Sequence, residues 1–195
     1  MVIIAFFALL CFSCTSDLNL NVTDVPVIAV VPDPVAGNWA DCGGKLGTHA
    51  CNFVAKDQRG NDWQLYDQYN KIIVLDFSAS WCGICMNAAT HVQEFQDKYG
   101  TEDVIWVTML LQDSNGQLPD AELATVWADA FNIKTSPVLA VNEGVIELIL
   151  ADGYAVSVLP TIVVINRDMV NAYVMEGWNK NRLINQIETM LLAEI

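Results

Sequence analysis

Residues 76–85 read DFSASWCGIC. Two cysteines, Cys82 and Cys85, are separated by two residues in this stretch. They follow an apolar run over residues 71–77 that predicts a buried strand. Apolar residues then recur with helical spacing over residues 83–99, which predicts a helix. The cysteine pair therefore lies where a buried strand gives way to a helix, a position typical of redox-active cysteine pairs.

This spacing has a direct chemical consequence, because the turn at the start of a helix brings the two sulfurs within bonding distance. Cys82 would lie at the helix N-terminus, where unpaired N–H groups stabilise a thiolate. We therefore predict that Cys82 attacks a substrate disulfide and that Cys85 resolves the mixed disulfide. The alternative is half of a zinc site, which needs a second ligand pair. Cys42 and Cys51 have the wrong spacing for such a pair, and His49 is a single candidate beside them.

The rest of the pattern predicts an α/β fold with one mixed sheet. Residues 133–151 fit no single element, and within them residues 145–150 suit either a strand or a short helix. The other predicted elements are a hairpin of residues 53–55 and 63–65, a strand at 104–111, a helix at 119–131, strands at 161–166 and 172–176, and a helix at 179–192 capped by Asn179. This order predicts a mixed central sheet with helices on both faces and an added N-terminal β-hairpin.

Composition limits the classes of partner. The 195 residues are 53% hydrophobic and 16% charged, so the chain can form a packed core. Its formal net charge is -14, with 9 Lys and Arg residues, and a chain this acidic is repelled by nucleic acid and by anionic lipid. The same charge also keeps an exported domain soluble, which is the simpler explanation of the acidity.

The N-terminus predicts export. Residues 2–12 are apolar, too few to span a membrane but of the length of a signal-peptide core. Cys14 follows, and the segment resembles a bacterial lipoprotein signal in which that cysteine is lipidated. Two features depart from this pattern: no Lys or Arg precedes Lys45, and Cys11 stands where a leucine is usual. Cys11 is itself a poorer lipidation candidate because the bulky Leu10 precedes it.

Three regions follow from these patterns. We expect a leader at residues 1–14, an extended tether at residues 15–36 and one folded domain at residues 37–195. The tether contains three prolines and no Lys or Arg, which favours an extended conformation.

Residues 76–85 resemble the active-site strand and helix start of the thioredoxin superfamily. Residues 159–161, Leu-Pro-Thr, are similar to the cis-proline loop of that superfamily, and Gly177 matches the glycine after its last strand. The similarity covers about residues 50–194. The long segment before Pro160 resembles the TlpA/ResA (redoxin) branch, whose members are exported and often membrane-tethered thiol–disulfide oxidoreductases. A thioredoxin-like fold is therefore expected.

The resemblance also implies roles for single residues. Asp76 matches a buried carboxylate that exchanges a proton with Cys85; the alternative is a strand residue facing water. Pro160 would be cis and would place Leu159 against Cys82 for pairing with substrate; the alternative is an ordinary trans proline. The similarity of residues 159–161 to the cis-proline loop of the superfamily is the basis for both expectations about Pro160 and Leu159.

Three further positions belong to the expected substrate surface. Trp81 would shield the disulfide, although plain core packing is its alternative, and Gly83 and Ile84 would contact the substrate. Ile84 replaces the proline common in thioredoxins. Because the residues between the two cysteines tune the reduction potential, the resemblance does not predict its value. Residues 86–89, MNAA, lack the acidic residue and proline often found in the branch.

Cys42 and Cys51 flank a glycine-rich loop that can close. We expect a structural disulfide between the end of the tether and the first strand; the alternative is an electron relay to the Cys82–Cys85 pair. His91 is expected to be a surface residue rather than a catalytic base.

The sequence thus predicts a monomeric oxidoreductase on the periplasmic or outer-surface side of a bacterial membrane. It would reduce disulfides of exported proteins, take electrons from a membrane or soluble donor, and use no cofactor or metal. Its membrane contact would be through a lipid at Cys14. An oxidant of the same fold, a peroxiredoxin-type thiol peroxidase and a non-enzymatic binding module are the alternatives.

Overall fold

The computed structural model describes residues 39, 42–142, 144–146, 154 and 156–193. The predicted leader at 1–14, with Cys14, and the tether at 15–36 lie outside the described residues, as does the predicted boundary at residue 37.

The described residues form one seven-stranded mixed sheet in the order β2-β1-β5-β4-β3-β6-β7. Its central strand, β3, pairs in parallel with β4 and antiparallel with β6. The strands are β1 (Val54–Asp57), β2 (Asp62–Gln64), β3 (Ile72–Ser78), β4 (Val104–Leu110), β5 (Val138–Ala140), β6 (Thr161–Ile165) and β7 (Asn171–Glu176). The predicted N-terminal hairpin and mixed sheet are confirmed, since β1 and β2 form a hairpin, β3 and β4 are parallel, and β6 and β7 are antiparallel.

Helical elements cover both faces of the sheet. On one face, alternate strand residues pack against the buried sides of α1 (Gly83–Ala89), α2 (Val92–Tyr99), α3 (Ala121–Ala130) and α4 (Lys180–Leu192). On the other face, the core includes residues 50–53, the 3-10 helix Tyr66–Gln68 and the helical residues 144–146. The predicted cap of α4 is confirmed, since Asn179 Oδ1 accepts a hydrogen bond of 3.0 Å from the Arg182 N–H.

The single helix predicted over residues 83–99 is wrong, because the structure divides it into α1 and α2. At the break, the His91 N–H donates to the Ala88 carbonyl, three residues back, at 2.9 Å. The Thr90 hydroxyl donates to the Asn87 carbonyl at 2.7 Å. A threonine that hydrogen-bonds its own preceding turn bends a helix, so the break needs no proline.

The prediction for α3 was also wrong in two respects. The helix begins after Pro119, because the Asp120 carboxylate caps it by accepting from the Leu123 N–H at 2.8 Å. The apolar spacing of residues 119–131 places Val126 on the buried face with Leu123 and Trp127, but Val126 is 55% exposed. Two small alanines beside Trp127, rather than Val126, let the helix approach the sheet; the buried residues are Ala124, Trp127 and Ala128. In the segment that fitted no element, β5 is a short strand.

A disulfide of 2.03 Å joins Cys42 and Cys51. Its loop is fixed to the start of β7, where the buried Asn171 amide donates to the carbonyls of Gly43 (2.6 Å) and Thr48 (3.1 Å). The Ala50 N–H also donates to the Met169 carbonyl at 2.8 Å. The loop therefore lies beside the β6–β7 turn.

This turn is at the opposite end of the sheet from the Cys82–Cys85 pair. Ile165, before the turn, pairs with Ile73 near the start of β3, whereas Cys82 follows the end of that strand. Five residues of strand separate the two ends, or roughly 17 Å at about 3.3 Å per residue. That separation argues against direct electron relay between the two pairs.

We expect the Cys42→Ser, Cys51→Ser double variant to lose roughly 2–3 kcal/mol in free energy of unfolding, because a nine-residue separation closes a short loop in the unfolded chain. Urea denaturation under oxidising conditions measures this loss. Under dithiothreitol the wild type and the variant should become equal. Equal stability without the reductant would contradict a structural role.

Candidate active site

Strand β3 positions the site. All seven of its residues are buried, and it ends at Ser78. The chain then turns, with the Cys82 N–H donating to the Ala79 carbonyl at 3.1 Å. The Ser80 N–H donates to the Gln112 carbonyl, also at 3.1 Å, which fixes this turn to the loop after β4. The two cysteines are therefore held by the most buried part of the sheet.

Cys82 is the N-cap residue of α1. Its backbone is extended, with φ -86° and ψ 105°, and its sulfur accepts a hydrogen bond of 3.2 Å from the Cys85 N–H. A disulfide of 2.12 Å joins the two residues. Cys82 retains 6% of its surface and Cys85 none, so Cys82 is the more accessible residue of the pair. An N–H donor at that sulfur stabilises a thiolate once the disulfide is reduced.

Asp76 lies on β3 with no exposed surface, on the face that packs against α1. Burial raises the pKa of its carboxyl from 3.8 to about 7, because the charged form loses its hydration. The Ser78 hydroxyl opposes this effect by donating to Asp76 Oδ1 at 2.8 Å. The group can therefore gain or lose a proton near neutral pH.

Two side chains on β4 complete the surroundings of Asp76, and the sequence analysis missed both. Thr108 pairs with Asp76 across the two strands, and Trp106 pairs with Val74 two residues earlier. The Trp106 indole N–H lowers the pKa of Asp76, although no hydrogen bond of normal geometry joins it to the carboxyl. Parallel register cannot be read from either strand alone, so the sequence pattern gave no signal of this contact.

The loop before β6 has a cis peptide bond between Leu159 and Pro160. The Pro160 carbonyl accepts from the Gly177 N–H at 2.8 Å, which ties the loop to the end of β7. Gly177 has a φ of 74°, a left-handed conformation that favours glycine over other residues. Thr161 then pairs with Phe77, so the loop lies at the same end of the sheet as Cys82.

A groove lies between this loop and the start of α1. Trp81 forms one wall; it is 52% exposed, so core packing does not explain it, and its indole N–H donates to Gln112 Oε1 at 3.1 Å. The groove is lined by uncharged side chains: Trp81, Leu111, Gln112, Ile146, Val156, Ser157 and Leu159. Ile84 is 56% exposed, and Gly83 is also exposed. Gln112 was not singled out by the sequence analysis.

His91 is half-buried rather than fully exposed. Its ring stacks on Trp178 with a centroid distance of 5.9 Å, and its Nδ1 lies 3.4 Å from Glu94 Oε2. Lys180 Nζ lies 2.7 Å from the same carboxylate oxygen. His91 thus belongs to a contact between α2 and α4, as a structural residue at the helix break.

Comparison with solved structures identifies the fold. The chain is similar to a putative thiol:disulfide interchange protein DsbE from Chlorobium tepidum, with 23% identity, 75% of this chain and 98% of that chain covered, and a TM-score of 0.63. It is also similar to the pneumococcal exposed lipoprotein thioredoxin Etrx1 of Streptococcus pneumoniae strain TIGR4, with 24% identity, 71% and 98% covered, and a TM-score of 0.59. These similarities show a thioredoxin-like fold.

The fold and the Cys82–Cys85 disulfide at the end of the central strand together define a thioredoxin-like protein with a paired-cysteine site. The AhpC/TSA family model matches residues 46–170, a range that contains Asp76, both cysteines and Pro160. The chain belongs to the AhpC/TSA family.

A curated relative agrees with this class. The chain is 31% identical over 88 residues to thioredoxin H2 of Arabidopsis thaliana, a match that covers 43% of this chain. It spans 57% of the length of that relative. Within the described part of the chain, no helix is both long and apolar enough to cross a membrane.

The raised pKa of Asp76 predicts a pH-dependent stability. Between 3.8 and about 7 the folded protein holds a proton that the unfolded chain has lost. Stability therefore falls as pH rises across this range and levels off above it, by about 4 kcal/mol in total. Asp76→Asn cannot lose a proton, so its stability should not fall in this way. The difference in free energy of unfolding, variant minus wild type, should therefore increase by about 4 kcal/mol between pH 4 and pH 8.

Denaturation curves at several pH values measure this difference. Asp168→Asn is the matched control, since Asp168 is exposed in the β6–β7 turn at the far end of the sheet. Parallel stability profiles for the wild type and Asp76→Asn would contradict the raised pKa.

Proposed function

We propose that this protein reduces disulfides of exported proteins through Cys82 and Cys85. The observation that carries the proposal is the difference between the two cysteines. Cys82 keeps 6% of its surface, whereas Cys85 is fully buried on the face of the sheet that holds Asp76, whose carboxyl has its pKa raised to about 7 by burial. Such an arrangement suits an exposed attacking thiol and an internal resolving thiol.

The reaction would proceed in two exchanges. The Cys82 thiolate attacks one sulfur of a substrate disulfide, forms a mixed disulfide and releases the other substrate sulfur as a thiolate. Cys85 then passes its proton to the Asp76 carboxylate and attacks the Cys82 sulfur. This step forms the internal disulfide and releases the second substrate thiolate, so two electrons have passed to the substrate. An electron donor must later reduce the internal disulfide.

The groove beside Trp81 suits an extended apolar segment of the substrate. Its lining carries no charged side chain, in a chain whose net charge is -14. Leu159, at the cis peptide bond, lines the same groove as Trp81 and would pair its backbone with the substrate segment. Gly83 and Ile84 would contact the residues next to the substrate disulfide.

The AhpC/TSA match makes a thiol peroxidase the second candidate. Peroxide binding at Cys82 would need a nearby cation, and the three arginines of the chain are engaged elsewhere. Arg59 donates to the Lys134 carbonyl, Arg167 to the carbonyls of Asn70 and Glu102, and Arg182 lies over the Tyr173 ring. The site therefore supports disulfide exchange better than peroxide reduction.

Export and membrane attachment complete the proposal. An apolar leader ahead of Cys14 supports lipidation there, on the periplasmic or outer-surface side of a bacterial membrane. A monomer on a tether could meet both a membrane electron donor and its substrates. The similarity to an exposed lipoprotein thioredoxin supports this placement.

The function is tested by insulin reduction with dithiothreitol as donor. We expect Cys82→Ser to abolish the stimulated rate, because no other described thiol lies at the groove, and Cys85→Ser to accumulate mixed disulfide. The Cys42→Ser, Cys51→Ser variant is the matched control and should keep the wild-type rate.

Two further arms of this assay separate the alternatives. A reductant accelerates insulin reduction more than oxidative refolding of a reduced protein, and an oxidant does the opposite. Cys82-dependent consumption of hydrogen peroxide would instead support the peroxidase. Wild-type rates in Cys82→Ser would refute the proposed function.

Lipid attachment predicts that Cys14→Ser releases the protein from the membrane fraction of a bacterial host. Cys11→Ser is the matched control and should remain bound. Mass spectrometry of the N-terminal peptide measures the lipid directly. Equal release of both variants, or of neither, would contradict attachment at Cys14.

A further inference from the structure

The second exchange requires Asp76 to carry a negative charge for part of its cycle, although the residue has no exposed surface. Among the described residues of the surrounding core, the titratable groups are Cys82, Cys85 and Tyr99, with Tyr173 packed beside them. The Tyr99 hydroxyl is bonded to Lys98 and Glu188. Arg182 lies over the outer side of Tyr173.

No charged neighbour contributes to the pKa of Asp76; burial raises it, and two neutral donors, Ser78 and Trp106, lower it. The ionised form must therefore be stabilised by neutral groups.

Trp106 is placed to do this. It lies on β4 in register with Val74, so its side chain is on the same face of the sheet as Asp76. It is fully buried, and its ring makes edge-to-face contacts with Phe95 and Trp178, with ring-centroid distances of 5.2 Å and 5.7 Å. Rings held on two sides keep the indole N–H aimed in one direction.

Both groups lack a partner. The Ser78 hydroxyl donates a hydrogen bond to Asp76 Oδ1. Asp76 Oδ2 and Trp106 Nε1 are buried and form no hydrogen bond. A buried acceptor and a buried donor that lie on the same face of neighbouring strands can satisfy each other by forming one hydrogen bond.

We propose that Trp106 is a positioning residue for Asp76: its indole N–H donates to the ionised carboxylate and holds Oδ2 ready to receive the Cys85 proton. The proposal rests on the function proposed above. It names the group that stabilises the ionised form of a buried carboxylate that has no cation beside it. A purely structural tryptophan would pack in the same place but would not respond to the proton on Asp76.

The chain contains a matched control. Trp127 on α3 is also buried, also has an unpartnered indole N–H, and packs against Phe131 at 4.7 Å. It contributes nothing to the pKa of Asp76.

The first measurement uses the oxidised wild-type protein with ¹⁵N-labelled tryptophan, followed by NMR from about pH 5 to pH 9. The Trp106 indole N–H should titrate with a midpoint near 7, the pKa of Asp76, and this titration should vanish in Asp76→Asn. The Trp127 indole should not titrate. A Trp106 signal that stays flat would overturn the proposal. Turnover is not involved, so loss of the proposed function and loss of this coupling are separate results.

The second measurement compares Trp106→Phe with Trp127→Phe. Phenylalanine keeps a ring in place and removes the N–H. We expect the carboxyl titration of Asp76, followed by ¹³C NMR, to move up by about one pKa unit in Trp106→Phe only. The pH profile of the Cys85 exchange should move by the same amount. An unchanged titration, or an equal shift in both variants, would refute the role; if Trp106→Phe fails to fold, the wild-type titration decides.

Discussion

The burial of one carboxyl on the central strand is the constraint on which the site depends. Asp76 sits on β3, between β4 and β6, where every residue of the strand is buried. A charge cannot be hydrated there, so its pKa rises to about 7. The same burial that costs stability when the carboxyl ionises also brings its pKa close to neutral pH.

The same strand sets the asymmetry of the two sulfurs. Because β3 ends under the start of α1, the chain must turn at residues 79–82, and the N-cap position of the helix falls on Cys82. Cys85, one turn further, points into the core that Asp76 shares. The positions of Cys82, Cys85 and Asp76 thus follow from one strand–helix junction, while Leu159, at the cis peptide bond, contributes to the lining of the groove.

The second disulfide has a separate task. It closes a loop that Asn171 holds to the start of β7, at the end of the sheet away from the groove. The two cysteine pairs therefore have different surroundings: Cys82–Cys85 lies after the central strand, at the start of α1 beside the groove, and Cys42–Cys51 closes a loop at the other end of the sheet.

Local sequence was sufficient for most of the elements and for the position of the Cys82–Cys85 pair between a buried strand and a helix, because strand burial, helix spacing and a Cys-x-x-Cys run are all short-range signals. It failed where short-range signals conflict with packing: Thr90 breaks a helix that periodicity continues, and Val126 faces water because two alanines fit the sheet better. Local sequence could not predict the neighbours of Asp76. Trp106 and Thr108 are some thirty residues away in sequence, and only the parallel register of β3 and β4 brings them beside the carboxyl.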